Sequence, residues 1–226
     1  MTDYAKTLAN LRKTLMDKGV DAFILPYRNR FQAHFLRPHD ERIRFVSGFE
    51  GSAGYVAVTL DDAAVFYDQR YAIAVEKQVD GLVFERVDYH ETMPLDWVIE
   101  KVSAANKRPT GRRALARPAA AESDSELARG TKVAVDGWLH SIRDVQKMRS
   151  KAAITLLPEN PVDAIWTDRP VPEVTPAHIH PVEIAGQTSA EKRNRLAGDR
   201  PILITAMDSI GWLLNIRGGD TPYMPA

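Results

Sequence analysis

The chain has 226 residues, no cysteine, and 30 basic against 30 acidic side chains, for a formal net charge of +0. This excludes disulfides, thiolate metal sites and a cysteine nucleophile. It also leaves no basic excess for neutralising phosphates, which argues against nucleic acid as a partner. Hydrophobic residues at 44% fit a soluble globular protein, and a charge near zero weakens colloidal repulsion and suits self-association. The N-terminus Met1-Thr2-Asp3-Tyr4 has no basic region or apolar run of a signal peptide. No apolar stretch approaches membrane-spanning length. The expectation is a cytoplasmic protein with no membrane partner.

In chain order, Leu8, Leu11, Leu15 and Met16 recur at helical spacing, with Gly19 as a stop. Val20–Pro26 reads as a buried strand and Arg37–Asp40 as a loop. Glu41–Phe45 reads as a helix entering the Gly-rich turn Ser47–Gly54. Tyr55–Leu60 and Ala63–Tyr67 flank Asp61-Asp62 and predict a hairpin. A helix over Tyr71–Val79, a strand over Val83–Val87 and a helix over Trp97–Val102 follow. The segment from Ala104 to Gly130 combines a basic cluster (Lys107, Arg108, Arg112, Arg113, Arg117) with an acidic patch (Glu122, Asp124, Glu126). It lacks an aromatic residue on which bases could stack, so a solvated loop is favoured over an RNA-binding arm.

Beyond it, Lys132–Val135 and Ile154–Leu157 read as strands and Ser141–Arg149 as a helix between them. Prolines 170, 172, 176 and 181 mark an extended linker and a domain boundary. Ser189–Arg193 starts a further helix, Pro201–Thr205 reads as a strand, and Ser209–Leu214 is short and apolar. Helices alternating with short strands predict an α/β fold with a mixed sheet.

Few residues point to chemistry. Gly48–Gly54 lacks the Lys-Ser/Thr ending of a phosphate loop, and a tight turn is the stronger reading. Ser52 lies outside G-x-S-x-G and is a poor nucleophile candidate. His178-x-His180 would share one face of a strand, but with no carboxylate-rich loop nearby a solvent-facing pair is favoured over a metal site. No paired-carboxylate or H-E-x-x-H motif occurs. Asp68 can cap the helix that follows it. Arg70, in the first turn, meets a mildly unfavourable dipole and calls for a carboxylate partner, either local Asp68 or a ligand. Asn215–Asp220 reads equally as the polar rim of a cleft or as a turn closed by an Arg217–Asp220 pair.

Taken together, Glu41–Gly54 (ERIRFVSGFEGSAG), Asp68–Tyr71 (DQRY), Glu76–Asp80 (EKQVD), Asn160–Pro170 (NPVDAIWTDRP) and Ser209–Asp220 (SIGWLLNIRGGD) resemble the three-domain Xaa-Pro aminopeptidases of the creatinase/prolidase-like metallopeptidases. The motifs occur in the family's order and span most of the chain. The resemblance implies a creatinase N-terminal-like α/β domain over residues 1–165, with helices around a mixed central sheet. It further implies a proline-rich linker over 166–182 and a partial second domain of similar type over 183–226.

The family's catalytic domain would follow. It holds two divalent metals, usually manganese, that activate water for cleavage of the bond before proline. The resemblance places no catalytic or metal-ligating residue in this chain, so the chain alone is expected to be inactive. It is expected to shape access for proline-containing peptides and to assist homodimer formation.

Two positions carry over as substrate-binding, Arg70 and Tyr223. Tyr223 stands where the family has a histidine and cannot carry imidazolium charge. Gln69 replaces a usual glycine, and an acidic residue usual near His34 is missing. Leu196–Pro201 is shortened by about two or three turns of helix at 3.6 residues each, which would leave apolar sheet surface uncovered. The alternative expectation is a stand-alone, non-catalytic binding or scaffold protein with the same fold.

Overall fold

In a computed structural model, residues 3–33, 35–107, 130–172 and 174–220 are described. The chain divides into two units, one of residues 1–27 with 41–169, the other of residues 28–40 with 170–226. The Ala104–Gly130 charge clusters, His34 and Tyr223 fall largely or wholly outside the described residues.

The first unit is built on six strands: β1 Ala22–Pro26, β2 Gly54–Thr59, β3 Ala63–Tyr67, β4 Glu85–Asp88, β5 Lys132–Asp136 and β6 Ala153–Leu157. Their order is β4-β3-β2-β1-β5-β6. β2 runs antiparallel to both β1 and β3, while β3–β4, β1–β5 and β5–β6 pair parallel. The helices are α1 Tyr4–Asp17, α2 Arg42–Ser47, α3 Ala72–Gln78, α4 Pro94–Lys107, α5 Ile142–Arg149 and α6 Pro161–Ile165.

Both faces of the sheet are buried, which is why the central strands are almost wholly apolar. Side-chain alternation sorts them into two cores. Phe23, Leu25, Val56, Val58, Val65 and Ala134 join Leu8, Leu11 and Leu15 of α1, Ile43 and Val46 of α2 and Val162 of α6. Ala22, Ile24, Ala57, Ala64, Phe66, Val133 and Val135 pack with Leu95, Trp97, Val98 and Val102 of α4. Met16, the fourth residue of the predicted helical stripe, is instead 48% exposed. The Asp61-Asp62 hairpin forms as expected, its two N–H groups donating to Thr59 Oγ1 at 3.3 and 2.8 Å.

The Gly-rich turn is a packing device. Gly48 caps α2 at φ 78°, in the left-handed region. A side chain at Gly54 would collide with the Phe66 carbonyl oxygen on the neighbouring strand. The Asn160–Pro170 motif is likewise structural. Asn160 caps α6 through Val162 N–H at 3.0 Å, and Asp163 takes two bonds from Arg42 at 2.7 and 3.0 Å and one contact from Arg169 at 2.7 Å. Trp166 stacks on Phe45, ring centres 4.6 Å apart.

The second unit holds a short antiparallel pair, β7 His178–Ile179 with β8 Ile216–Arg217, and helices α7 Val182–Ala185, α8 Ser189–Ala197 and α9 Met207–Leu214. Lys192 is its buried anchor. Its Nζ donates to Asn215 Oδ1 at 2.6 Å and Trp212 O at 3.0 Å, 4.6 Å from the Trp212 ring centre. Pro201–Thr205, predicted as a strand, has no regular structure. No strand pairs with it among the described residues, so its backbone turns to water, and Leu203 is left 90% exposed.

Gly54→Ala is expected to lower unfolding free energy by about 1–3 kcal/mol, the usual cost of overpacking. Gly137→Ala, where a Cβ would meet nothing nearer than 3.9 Å, should be near neutral; urea denaturation of both variants checks the contrast.

Candidate functional site

A sheet buried on both faces offers polar groups a place mainly at its strand ends, and in α/β sheets ligands gather at the carboxyl ends. β3 and β4 are parallel, with Tyr67 opposite Asp88. The residues just past each strand therefore land side by side: Asp68 and Arg70 after β3, Tyr89 and His90 after β4.

Asp68 is the hub. One carboxylate oxygen accepts from the Arg70 backbone N–H at 3.0 Å and Arg70 Nε at 2.7 Å. The other accepts from Tyr89 Oη at 2.7 Å and faces His90 Nε2 at 3.3 Å. The Arg70 side-chain bond, reinforced by the Tyr89 hydroxyl, holds the Asp68 carboxyl well below the usual carboxylate range. Tyr89 is pushed up to about 12 by burial and by its bond to Asp68, so it remains a donor.

Arg70 is the solvent-facing end of this array. Its side chain is 73% exposed, and only Nε is committed, to Asp68. Its two terminal nitrogens make no hydrogen bond among the described residues. The local Arg70–Asp68 pair therefore forms and still leaves the outer edge of the guanidinium available. Tyr71 lies beneath, 5.8 Å from the guanidinium carbon. It is fixed by Ser52 Oγ at 2.6 Å and by edge-on packing against Phe49 at 5.8 Å. Ser52 thus serves as a brace for Tyr71.

Sequence reasoning missed Tyr89 and His90. The available signal was the polar-aromatic run Asp88-Tyr89-His90 directly after a predicted strand, but its importance depends on the β3–β4 register. Asp88 Oδ1 accepts from His90 N–H at 2.9 Å, which shapes that turn. A separate cavity of about 380 Å³, lined by Arg12, Asp61, Asp62 and Leu82 among others, lies at the opposite end of β3.

In the second unit, His178 stands opposite Arg217, and His180 N–H donates to Asn215 O at 2.7 Å. Burial, Arg217, His178 and Lys192 lower the His180 pKa, an environment that repels cations. The Arg217–Asp220 pair does not form. Arg217 Nη1 donates to Gly211 O and Ile216 O, and Asp220 accepts from Thr175 N–H at 2.5 Å and lies 3.8 Å from Arg37.

Two family models, each described as the Creatinase/Prolidase N-terminal domain, match residues 8–162 and 168–226. The chain belongs to the creatinase/prolidase N-terminal domain family. A Probable Xaa-Pro aminopeptidase P of Paracoccidioides brasiliensis (strain Pb18) is 30% identical over 238 residues, covering 99% of this chain and 34% of that protein. Aminopeptidase P2 of Arabidopsis thaliana is 31% identical over 234 residues, covering 96% of this chain and 30% of that protein. The crystal structure of X-prolyl aminopeptidase from Caenorhabditis elegans superposes with a TM-score of 0.78 at 26% identity, over 100% of this chain and 36% of that one. The chain thus corresponds to the N-terminal region of aminopeptidase P-like proteins and spans about a third of their length.

That C. elegans protein is described as a cytosolic enzyme with a di-nuclear active site. The described residues here do not fit such a centre, since no three His, Asp or Glu side chains among them gather into a metal-binding group. At the Asp68 cluster the single carboxylate is already saturated by donors. Among the described residues, no helix is long and apolar enough to cross a membrane.

The Asp68 bonds favour its ionised form in the folded chain, so their contribution to stability is complete above the ordinary carboxyl pKa of about 3.9. It is lost as pH falls toward the depressed folded value. Asp68→Asn is therefore expected to destabilise at pH 7, with the deficit shrinking as pH falls below about 4; urea titrations at a series of pH values check the slope.

Proposed function

We propose that this chain is the non-catalytic N-terminal part of a Xaa-Pro aminopeptidase, a hydrolase that removes an N-terminal residue preceding proline. Two divalent metal ions, manganese in this reading, supply the hydrolytic chemistry from a catalytic domain outside residues 1–226. The family membership and the one-third coverage of the relatives support this over a stand-alone scaffold. We assign a first domain to residues 1–165, a linker to 166–182 and the start of a second domain to 183–226. The whole enzyme is taken to be cytoplasmic and homodimeric.

The role of this part is access and orientation. The observation that carries it is the Arg70 guanidinium, held at Nε by Asp68 with its outer nitrogens exposed. Such a fork suits a peptide carboxylate or carbonyl, because its planar donors are already oriented before the ligand arrives. Asp68 keeps that orientation and is itself held by Tyr89 and His90. Tyr223, which lies outside the described residues, is assigned by family resemblance to substrate binding as a neutral hydrogen-bonding group.

The purified chain, given manganese and an X-Pro peptide, is expected to show no metal-dependent release of the first residue; turnover would overturn the non-catalytic assignment. Grafting residues 1–226 in place of the matching region of a full-length aminopeptidase P tests the positive role. The hybrid should cleave X-Pro peptides, and Arg70→Gln in it should raise KM by about 10- to 100-fold, the range expected for losing a charge-assisted hydrogen bond. An active hybrid whose KM ignores the Arg70 substitution would remove Arg70 from the substrate site.

A further inference from the structure

The hairpin that joins β2 to β3 is closed by its backbone. Asp61 and Asp62 give their N–H groups to Thr59 Oγ1, and Thr59 N–H donates to Asp62 O at 2.9 Å. The two carboxylates take no part in the turn and accept no hydrogen bond among the described residues. The carbonyl of the same Thr59 accepts from Arg12 Nε of α1 at 3.1 Å. That bond fixes a guanidinium in the wall of the 380 Å³ cavity that Asp61 and Asp62 also line.

Arg12 is half-buried, and its two terminal nitrogens make no hydrogen bond among the described residues. Burial lowers the Arg12 pKa, and the charges of Asp61 and Asp62 offset this only in part. A guanidinium drawn out of water in this way gains from an anion that its planar fork can grip. A simple anion is disfavoured, because the two aspartates face the same space and repel it. Glu85, also in the lining, is paired with Lys101, which leaves the aspartates as the uncompensated charges. A ligand that satisfies both kinds of group carries a carboxylate and an ammonium together. The volume is that of a small-molecule site. Leu82 in the lining is 98% exposed, so an apolar side chain resting on it would remove apolar surface from water.

We propose that this cavity binds a small zwitterion, an α-amino acid or a short peptide with an apolar side chain. Its carboxylate takes the terminal nitrogens of Arg12, and its ammonium is drawn to Asp61 and Asp62. The site lies at the Ala63 end of β3, whereas Arg70 follows the Tyr67 end. Occupation therefore needs neither Arg70 nor a catalytic domain.

Isothermal titration of the 226-residue chain tests this with L-leucine and with leucyl-proline. Isocaproate, which is leucine without its ammonium, and isoamylamine, which is leucine without its carboxylate, serve as matched controls. At least one zwitterion is expected to bind saturably and about tenfold or more tighter than either control. Tighter binding of leucine names a free amino acid as the ligand, and tighter binding of leucyl-proline names a peptide. Arg12→Gln should weaken that binding by about tenfold or more.

Because Arg12 also holds Thr59, the double variant Asp61→Asn with Asp62→Asn gives a second reading in a turn whose backbone bonds are kept. There the preference for leucine over isocaproate should shrink by about threefold, with far-UV circular dichroism unchanged. Absence of saturable binding by both zwitterions overturns the site. So does a preference over isocaproate that ignores the loss of both carboxylates. Binding lost on Arg70→Gln but kept on Arg12→Gln places the ligand at the Asp68 cluster and also overturns it.

Discussion

Burying both faces of one sheet is the constraint from which most of this molecule follows. Phe23, Leu25, Val56 and Val58 point to one core, and Ala22, Ile24, Ala57 and Phe66 to the other. No position in the central strands is left for an unpaired polar side chain, since a buried group without a partner loses its water for nothing. Polar chemistry is displaced to where the strands stop. The parallel pairing of β3 and β4 then brings two such ends together, and Asp68 meets Arg70, Tyr89 and His90. The same constraint creates the edge problem. Among the described residues the outer strands of the sheet are β4 and β6, and of the two β4 is the charged one.

The motifs that identify the family divide by what they do. Asn160–Pro170 is a clamp, in which Asp163 collects Arg42 and Arg169 and Trp166 lies on Phe45. The Gly-rich turn is shaped by the collision that any larger residue at Gly54 would cause. These segments report how the chain folds. Asp68–Tyr71 is different, because it presents the Arg70 guanidinium, held at Nε by Asp68 and exposed at its outer edge. Similarity of motif thus supports the fold along most of the chain, whereas the proposed role toward a peptide rests on Arg70, whose side chain is exposed beyond its bond to Asp68.

The second unit shows the limit of a small sheet. Two strands of two residues cannot cover much apolar surface, and a pair of strands is marginal without further layers. Lys192 is its buried long side chain, with no carboxylate among its contacts with the described residues. Two oxygen acceptors and the face of Trp212 stabilise the ammonium instead. Ile202 and Leu203 are left exposed where the sequence pattern called for a strand. A β-strand is a relation between two segments, and the apolar pattern of one of them is not enough to produce it.

The sequence by itself determined the helices and strands of the first unit nearly in full. Apolar period and turn chemistry are local properties: Leu8, Leu11 and Leu15 make one helical stripe, Asp61-Asp62 a hairpin, and Asp68 a cap, whatever else surrounds them. It also determined the family, because five motifs occur in the family's order along most of the chain. Tertiary structure alone decided the rest. It joined Tyr89 and His90 to Asp68 through a strand register that no local pattern encodes, and it sent Asp220 to Thr175 rather than to Arg217. It also placed residues 28–40 in one unit with residues 170–226. Each of these depends on contacts between residues far apart in the chain, where geometry and competition among partners, not spacing, select the outcome.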